Sequence, residues 1–205
     1  MADVLRPVEL TAESAADIPV IGDRAPATRF PEGQAAEDGR LVGAARDGDE
    51  LAFSRLYDRY ARVVHGLLLA RVARDDVDDL VQDVFLTAWR RLDGLRDPAA
   101  FGGWVAMIAR NRATDFHRRS AEYVELPANL ESRGEASERA EANAALAAIR
   151  ALPEAYRETL MLRLVEGLTG PEIAERTGLT PASVRVNLHR GMKLLRTALN
   201  PASNQ

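Results

Sequence analysis

The chain has 205 residues and a formal net charge of −4, and 46% of its residues are hydrophobic while 28% are charged. Such a composition is typical of a folded protein, and a core built from Leu, Val, Ile and Ala with few aromatic residues favours an all-α fold. The lack of cysteine excludes a disulfide framework and thiolate sites. No basic-then-apolar signal and no membrane-length apolar run are visible, so we expect a cytoplasmic protein.

The first part of the chain shows no sustained hydrophobic period. Residues 1–38 contain scattered Pro, Gly and acidic residues and are predicted to be a disordered N-terminal extension; a segment that folds on a partner is the alternative. Periodicity begins at Leu41, and Asp47-Gly48-Asp49 indicates a turn before a long helix. Spacings of three and four then predict one apolar helical face, formed by Phe53, Leu56, Tyr60, Val63, Val64 and Leu67.

Two more helical stretches complete a first domain, predicted over residues 39–120. "DDVDDLVQDVFLTAWRRL" predicts a helix, and "FGGWVAMIARNRATDFHRRS" predicts two further helical segments that end in basic residues. Residues 93–100 lie between them as a loop. The helical spacing of Phe101 and Trp104 favours a core position for both over stacking on DNA. The inward face of the first of these helices is Val77, Leu80, Val81, Val84, Ala88 and Leu92.

A polar stretch separates this domain from a second one. Residues 121–140 are rich in Glu, Ser, Ala, Asn and Gly and predict a flexible acidic linker. Residues 141–200 predict a second helical domain, with Tyr156, Leu160 and Leu164 buried. The fold class is therefore all-α, with two small helical domains joined by a linker.

The second domain ends in a helix-turn-helix pattern. Thr169 and Glu172 fit a capping box, Gly178 can end a helix in the left-handed conformation, and Thr180-Pro181 fit the start of the next helix. The stripe predicted to be buried on that last helix consists of Val184, Leu188, Leu195 and Leu199.

The outer face of the last helix is basic. Arg185 and His189 lie in its first half, where the helix dipole disfavours cations, so a role in complementing the dipole does not explain them. The pattern predicts a recognition helix for the DNA major groove, and the alternative is a solvated amphipathic helix.

The helix around residue 80 is acidic. It carries five aspartates between Asp75 and Asp83. A separate exposed face follows from spacings of three and four and consists of Asp79, Gln82, Asp83 and Leu86. These carboxylates either form a solvated face or bind a basic protein partner, whereas no nearby histidine or nucleophile supports metal binding or acid–base chemistry.

Two segments resemble one known family. Residues 76–119, "DVDDLVQDVFLTAWRRLDGLRDPAAFGGWVAMIARNRATDFHRR", resemble domain two of bacterial RNA polymerase sigma factors of the extracytoplasmic-function (ECF) type. Residues 152–199, "LPEAYRETLMLRLVEGLTGPEIAERTGLTPASVRVNLHRGMKLLRTAL", are similar to their domain four. The order of the two segments also agrees with that family.

The resemblance implies site residues in three groups. The β′ clamp helices of core polymerase would contact Asp79, Gln82, Asp83 and Leu86. The melted −10 promoter element would contact Leu95, Asn111, Arg112, Arg118 and Arg119. The duplex −35 element would contact Ser183, Arg185, Val186, His189, Arg190 and Lys193.

The resemblance also implies the partners. These are core RNA polymerase through its β′ and β subunits, promoter DNA as duplex and as melted strands, and an anti-sigma factor. We expect a protein that is not an enzyme, without catalytic residues, metal or cofactor, and a monomer when free. Because the linker is flexible, nothing in the free protein should hold the two domains at the separation of two promoter elements. A one-component regulator that dimerises on a palindrome is the alternative.

Overall fold

A computed structural model describes the backbone of residues 32–122 and 136–199 and the side chains of residues 33–119 and 142–199. Every regular element in these ranges is helical, so the all-α prediction is confirmed. The α-helices are α1 (Glu32–Arg46), α2 (Glu50–Leu69), α3 (Val77–Arg90), α4 (Phe101–Glu122), α5 (Ala136–Arg150), α6 (Glu154–Leu164), α7 (Gly170–Thr177) and α8 (Pro181–Leu199). None of these helices is long and apolar enough to cross a membrane.

The first domain is built around α2, which packs against α1, α3 and α4. Gly48 turns the chain with a φ of 95°, and the Asp49 side chain then caps α2 by accepting hydrogen bonds from the backbone of Leu51 and Ala52. The predicted inward faces of α2 and α3 are buried, apart from the half-buried Phe53. Phe101 is fully buried and Trp104 packs against the same core, as their spacing predicts.

Two boundaries differ from the sequence prediction. Helix α1 begins at Glu32, inside the stretch predicted to be disordered, because Asp38 is buried against α2, where it accepts hydrogen bonds from Arg59 and Tyr60. Burial raises the pKa of Asp38, and those two hydrogen bonds offset the rise only in part. The two segments predicted after residue 100 form the single helix α4. The rest of the predicted extension, and residues 123–135 of the predicted linker, lie outside the described residues.

Helices α5 to α8 form the second domain. Tyr156 and Leu160 are buried as predicted, and Ile173 is buried as well. Leu164 and Leu199 are each 48% exposed, so their predicted burial was wrong. Both leucines are the last residue of their helix.

The two domains lie against each other, with α6 and α7 packed on α2 and α4. Arg150 donates a hydrogen bond to the Leu69 carbonyl oxygen at 3.0 Å, and His65 Nδ1 lies 2.6 Å from Glu166 Oε1. The sequence did not predict this contact, which packs the domains together and does not hold them at the separation of two promoter elements. No local sequence pattern could predict this contact, because the two residues of each hydrogen bond belong to different domains and lie far apart in the sequence.

Gly102 lets α4 approach Tyr60, and this close contact generates a stability prediction. A Cβ at Gly102 would lie 2.7 Å from Tyr60 Cε1, and the buried ring cannot withdraw without losing its hydrogen bond to Asp38. Gly102→Ala should therefore lower the free energy of unfolding by about 1–3 kcal/mol in urea denaturation. Gly103→Ala is the matched control, since nothing lies within 4 Å, and should be neutral or raise stability by up to about 1 kcal/mol. Equal effects of both changes would contradict this packing.

The His65–Glu166 contact generates a prediction about pH. The hydrogen bond with Glu166 raises the pKa of His65 above its ordinary 6.5, and burial opposes this rise. The charge of Asp78 raises the pKa further, whereas the charge of Arg74 lowers it. Arg62 also lies nearby and donates a hydrogen bond to the backbone carbonyl oxygen of Glu166. Because the folded pKa is the higher one, the stabilisation is complete below pH 6.5 and is lost as pH rises through the folded value.

The measurement is urea denaturation of the wild type and of His65→Gln at a series of pH values. The difference in free energy of unfolding between the two proteins should shrink between about pH 6 and pH 8, since the other histidines are common to both and cancel. A difference that stays constant over this range would contradict the assignment.

Candidate nucleic-acid interface

The helix-turn-helix of α7 and α8 is built as its sequence predicts. Thr169 and Glu172 form a reciprocal capping box, and Gly178 ends α7 with a φ of 78°. The Thr180 hydroxyl then accepts a hydrogen bond from the backbone of Ser183 at 3.0 Å, which caps α8. A side chain caps the first turn of each helix, and a left-handed glycine lies between the two helices. Together these features fix the angle between α7 and α8.

Most of the predicted −35 residues lie on the solvent face of α8. The exposed ones are Arg185, Val186, His189, Arg190 and Lys193. Ser183 is half-buried, and its hydroxyl lies 2.8 Å from that of Thr180, so it takes part in the helix cap. The opposite face packs inward through Val184 and Leu195. The exposed face therefore presents cations and one apolar side chain in the first three turns of a well-supported helix.

Close packing of α8 on α6 depends on a residue that sequence reasoning missed. A Cβ at Gly191 would lie 3.0 Å from Leu160 Cδ1 and 3.1 Å from Tyr156 Cβ. Asn187, one turn earlier, is also buried, with 6% exposure. A buried Asn and a Gly at i and i+4 on the inward face were the available signal that α8 approaches its support unusually closely.

The predicted polymerase-binding residues share one surface of α3. Asp79, Gln82 and Leu86 are exposed and Asp83 is half-buried. Asp83 accepts a hydrogen bond from Arg112 of α4 at 3.0 Å. This ion pair joins the acidic surface of α3 to the basic end of α4.

An aromatic groove of about 420 Å³ runs beside this acidic surface, and sequence reasoning missed it. Leu86 is 52% exposed there and Trp89 is 38% exposed. The remaining lining comes from Glu50, Phe53, Tyr57, Gln82 and Phe85. The available signal was the pair Phe53 and Tyr57, which are spaced at i and i+4 on α2. The arrangement offers an apolar cleft flanked by carboxylates, suited to a partner with apolar side chains and basic neighbours.

The basic segment of α4 presents part of the predicted −10 set. Asn111, Arg118 and Arg119 are exposed, and Arg112 is half-buried because of its pairing with Asp83. Arg118 also lies 3.1 Å from Asp115.

Leu95 differs from its predicted place at the surface. Its side chain is buried in the core of the first domain, with 6% exposure, and its carbonyl oxygen accepts a hydrogen bond from Arg46. Arg110 is half-buried and donates two hydrogen bonds to Glu158 of α6. Of the residues predicted to contact the −10 element, Asn111, Arg118 and Arg119 are therefore the exposed ones.

No cluster of His and carboxylate side chains able to hold a metal ion occurs among the residues that the structure describes. The surfaces on α3, α4 and α8 are instead suited to binding: one acidic and aromatic, and two rich in guanidinium, imidazole and amide donors. Such donors bind phosphates and base edges.

Comparisons with known proteins agree with this organisation. Residues 56–122 match Sigma-70 region 2, and residues 142–195 match Sigma-70, region 4. The chain is 31% identical over 178 residues to the ECF RNA polymerase sigma-E factor of Escherichia coli strain K12, covering 78% of this chain and 93% of that protein. It is also 31% identical over 184 residues to the RNA polymerase sigma factor NccH of Alcaligenes xylosoxydans xylosoxydans, covering 81% and 96%.

A solved structure is similar over the same range. CnrH in complex with the cytosolic domain of CnrY aligns with a TM-score of 0.57 and 26% identity, covering 82% of this chain and 99% of CnrH. The two region matches fall on the two helical domains described above, in the same order. The chain therefore belongs to the ECF-type RNA polymerase sigma factors with sigma-70 regions 2 and 4, non-catalytic proteins that direct promoter-specific transcription initiation.

Proposed function

We propose that the first domain docks on the β′ clamp helices of core RNA polymerase through Asp79, Gln82, Asp83 and Leu86. The observation that carries this proposal is the shared exposed surface of these residues on α3, beside the aromatic groove. Carboxylates at the rim select a basic partner, and the groove accepts apolar side chains. Trp89 and Tyr57 extend the docking surface beyond the residues that the sequence indicated.

Promoter reading is divided between α4 and α8. Asn111 is exposed and its amide can pair with a base edge, so it suits an unpaired base of the −10 element. Arg118 and Arg119 follow on the same helix and suit the phosphates of the melted strand. On α8, Arg185, Val186, His189, Arg190 and Lys193 are positioned for the major groove of the duplex −35 element, with Ser183 supporting them through the cap.

The Asp83–Arg112 pair links polymerase docking to promoter reading. Each partner belongs to a different predicted surface, and Arg112 Nη2 lies 3.0 Å from Asp83 Oδ2. When a basic residue of the polymerase pairs with Asp83, Arg112 loses its carboxylate partner and becomes available to a DNA phosphate. Docking on polymerase would thus increase the positive charge that α4 offers to the promoter.

The other proposed properties concern partners and location. The protein acts in the cytoplasm, as a monomer when free, and also contacts the β subunit of core polymerase. An anti-sigma factor binds it, as supported by the solved complex of the similar CnrH with the cytosolic domain of CnrY.

Reversing one charge on α3 tests the docking surface. Asp79→Arg should reduce binding to purified core polymerase at least tenfold, because it places a cation where a basic partner binds. The variant should keep its fold, since exposed charges contribute little to stability. Asp47→Arg makes the same charge change at an exposed turn and is the matched control. If both variants bind core polymerase equally well, the docking surface lies elsewhere.

A second pair of variants tests the two promoter readers. Arg185→Ala should weaken holoenzyme binding to the −35 duplex by about 1–3 kcal/mol and relax its sequence preference, if the guanidinium contacts a base. Asn111→Ala should leave that duplex binding unchanged and instead slow strand opening, followed by the fluorescence of a base analogue in the −10 element. Arg196→Ala, at the end of α8, controls for the loss of a cation. Identical defects of the first two variants on the −35 duplex alone would refute the division.

A further inference from the structure

A buried charge lies at the contact between the two domains. Glu158 of α6 is only 6% exposed, and its two carboxylate oxygens accept hydrogen bonds from Nε and Nη2 of Arg110, each at 2.9 Å. Arg71, which follows α2, forms a second ion pair with the same carboxylate. One acidic side chain of the second domain is thus held by two arginines of the first.

This network stays ionised inside the contact. Burial alone would raise the pKa of Glu158, but Arg110 and Arg71 outweigh burial and hold it below its ordinary value. The bidentate geometry is the one in which a guanidinium also binds phosphate. Arg110 belongs to the basic segment of α4, so Glu158 occupies the position in which a phosphate of promoter DNA would bind that guanidinium.

The domains also fit closely beside the ion network. A Cβ at Gly66 of α2 would lie 2.8 Å from Leu162 Cδ2 and 2.8 Å from Glu166 Cγ, both in the second domain. Leu162 is fully buried. Only glycine at this position allows the approach, so the contact is specific packing and not a loose association through charge.

The docked domain borders the polymerase-binding surface. Glu166 lines a cleft of about 550 Å³ together with His65 and Asp78 of the first domain, and Gln82 lines both this cleft and the aromatic groove. A partner that binds in the aromatic groove and contacts Gln82 therefore also comes close to Glu166. The second domain therefore lies at the same edge of α3 as the proposed polymerase-binding surface.

We propose that the free protein rests in a closed, self-inhibited state, in which the second domain is locked on the first by Glu158 and by the close fit at Gly66. In this state Arg110 is withheld from DNA and the edge of the polymerase-binding surface is occupied. Binding to polymerase opens the contact. The inhibitory part rests on the docking surface proposed above, whereas the closed state itself does not.

The closed state is tested on the free chain by energy transfer. The chain has no native cysteine, so Ser54→Cys on α2 and Thr197→Cys on α8 give one exposed dye site in each domain. Gly66→Gln should lower the transfer efficiency because its side chain cannot fit between the domains. Gly43→Gln is the matched control in a helix, since nothing lies within 4 Å there, and should leave the efficiency unchanged.

Glu158→Gln tests the ion network independently, since it keeps the shape of the side chain and removes its charge. It too should lower the efficiency, and circular dichroism checks that each variant keeps its helices. If Gly66→Gln is folded and transfers energy as efficiently as the wild type, the closed state is refuted, whatever the protein binds.

The inhibitory role is tested by titrating the same proteins with core polymerase. If only the open state binds and it makes up a tenth or less of the free chain, Gly66→Gln should bind about tenfold more tightly than Gly43→Gln. An opened variant with unchanged affinity would refute self-inhibition while leaving the closed state intact. If neither the wild type nor any variant binds core polymerase, the docking proposal fails, and the inhibitory role that rests on it fails with it.

Discussion

The pairing of Glu158 with Arg71 and Arg110 is the constraint on which the rest of the arrangement depends. A carboxylate removed from water costs several kcal/mol unless it is paired, so α6 must lie where both arginines reach it. Helix α6 in turn supports α8, which approaches it closely at Gly191. The position of α8 relative to the first domain therefore depends on this buried ion network together with the packing of α6 and α7 on α2 and α4.

Charge segregation explains how an acidic chain can bind DNA. The net charge of −4 averages over an acidic surface on α3 and basic surfaces on α4 and α8. The two kinds of surface are not independent, because Asp83 and Arg112 pair where they meet, and Glu158 covers Arg110. Carboxylates thus pair with two guanidinium groups of α4, those of Arg110 and Arg112. Under the proposals made above, these carboxylates stand in for DNA phosphates until polymerase displaces them.

The surfaces of α3 and α8 could be predicted because each is a property of one helix. A period of 3.6 residues separates the exposed Asp79 and Leu86 from the buried Leu80 and Val84 without knowledge of any neighbour. The aromatic groove could not be found in this way, because Tyr57 and Trp89 lie on different helices and form a cleft only after α2 and α3 pack. Leu95 shows the same limit: it lies in a loop, where no period applies, and only the folded domain shows that it is buried.

The sequence by itself determined the two-domain helical plan, the caps and the turn of the helix-turn-helix, and the charge of each surface. These features are local, since a cap needs only neighbouring residues and a left-handed turn needs only a glycine such as Gly178. Tertiary structure decided which charges are free to act. Arg110 and Asn111 are adjacent in one basic segment, yet Arg110 is bound by a carboxylate 48 residues away and Asn111 faces solvent. Whether a side chain can bind a partner depends on which residues pack against it in the folded protein. Contacts between residues far apart in the sequence decide this.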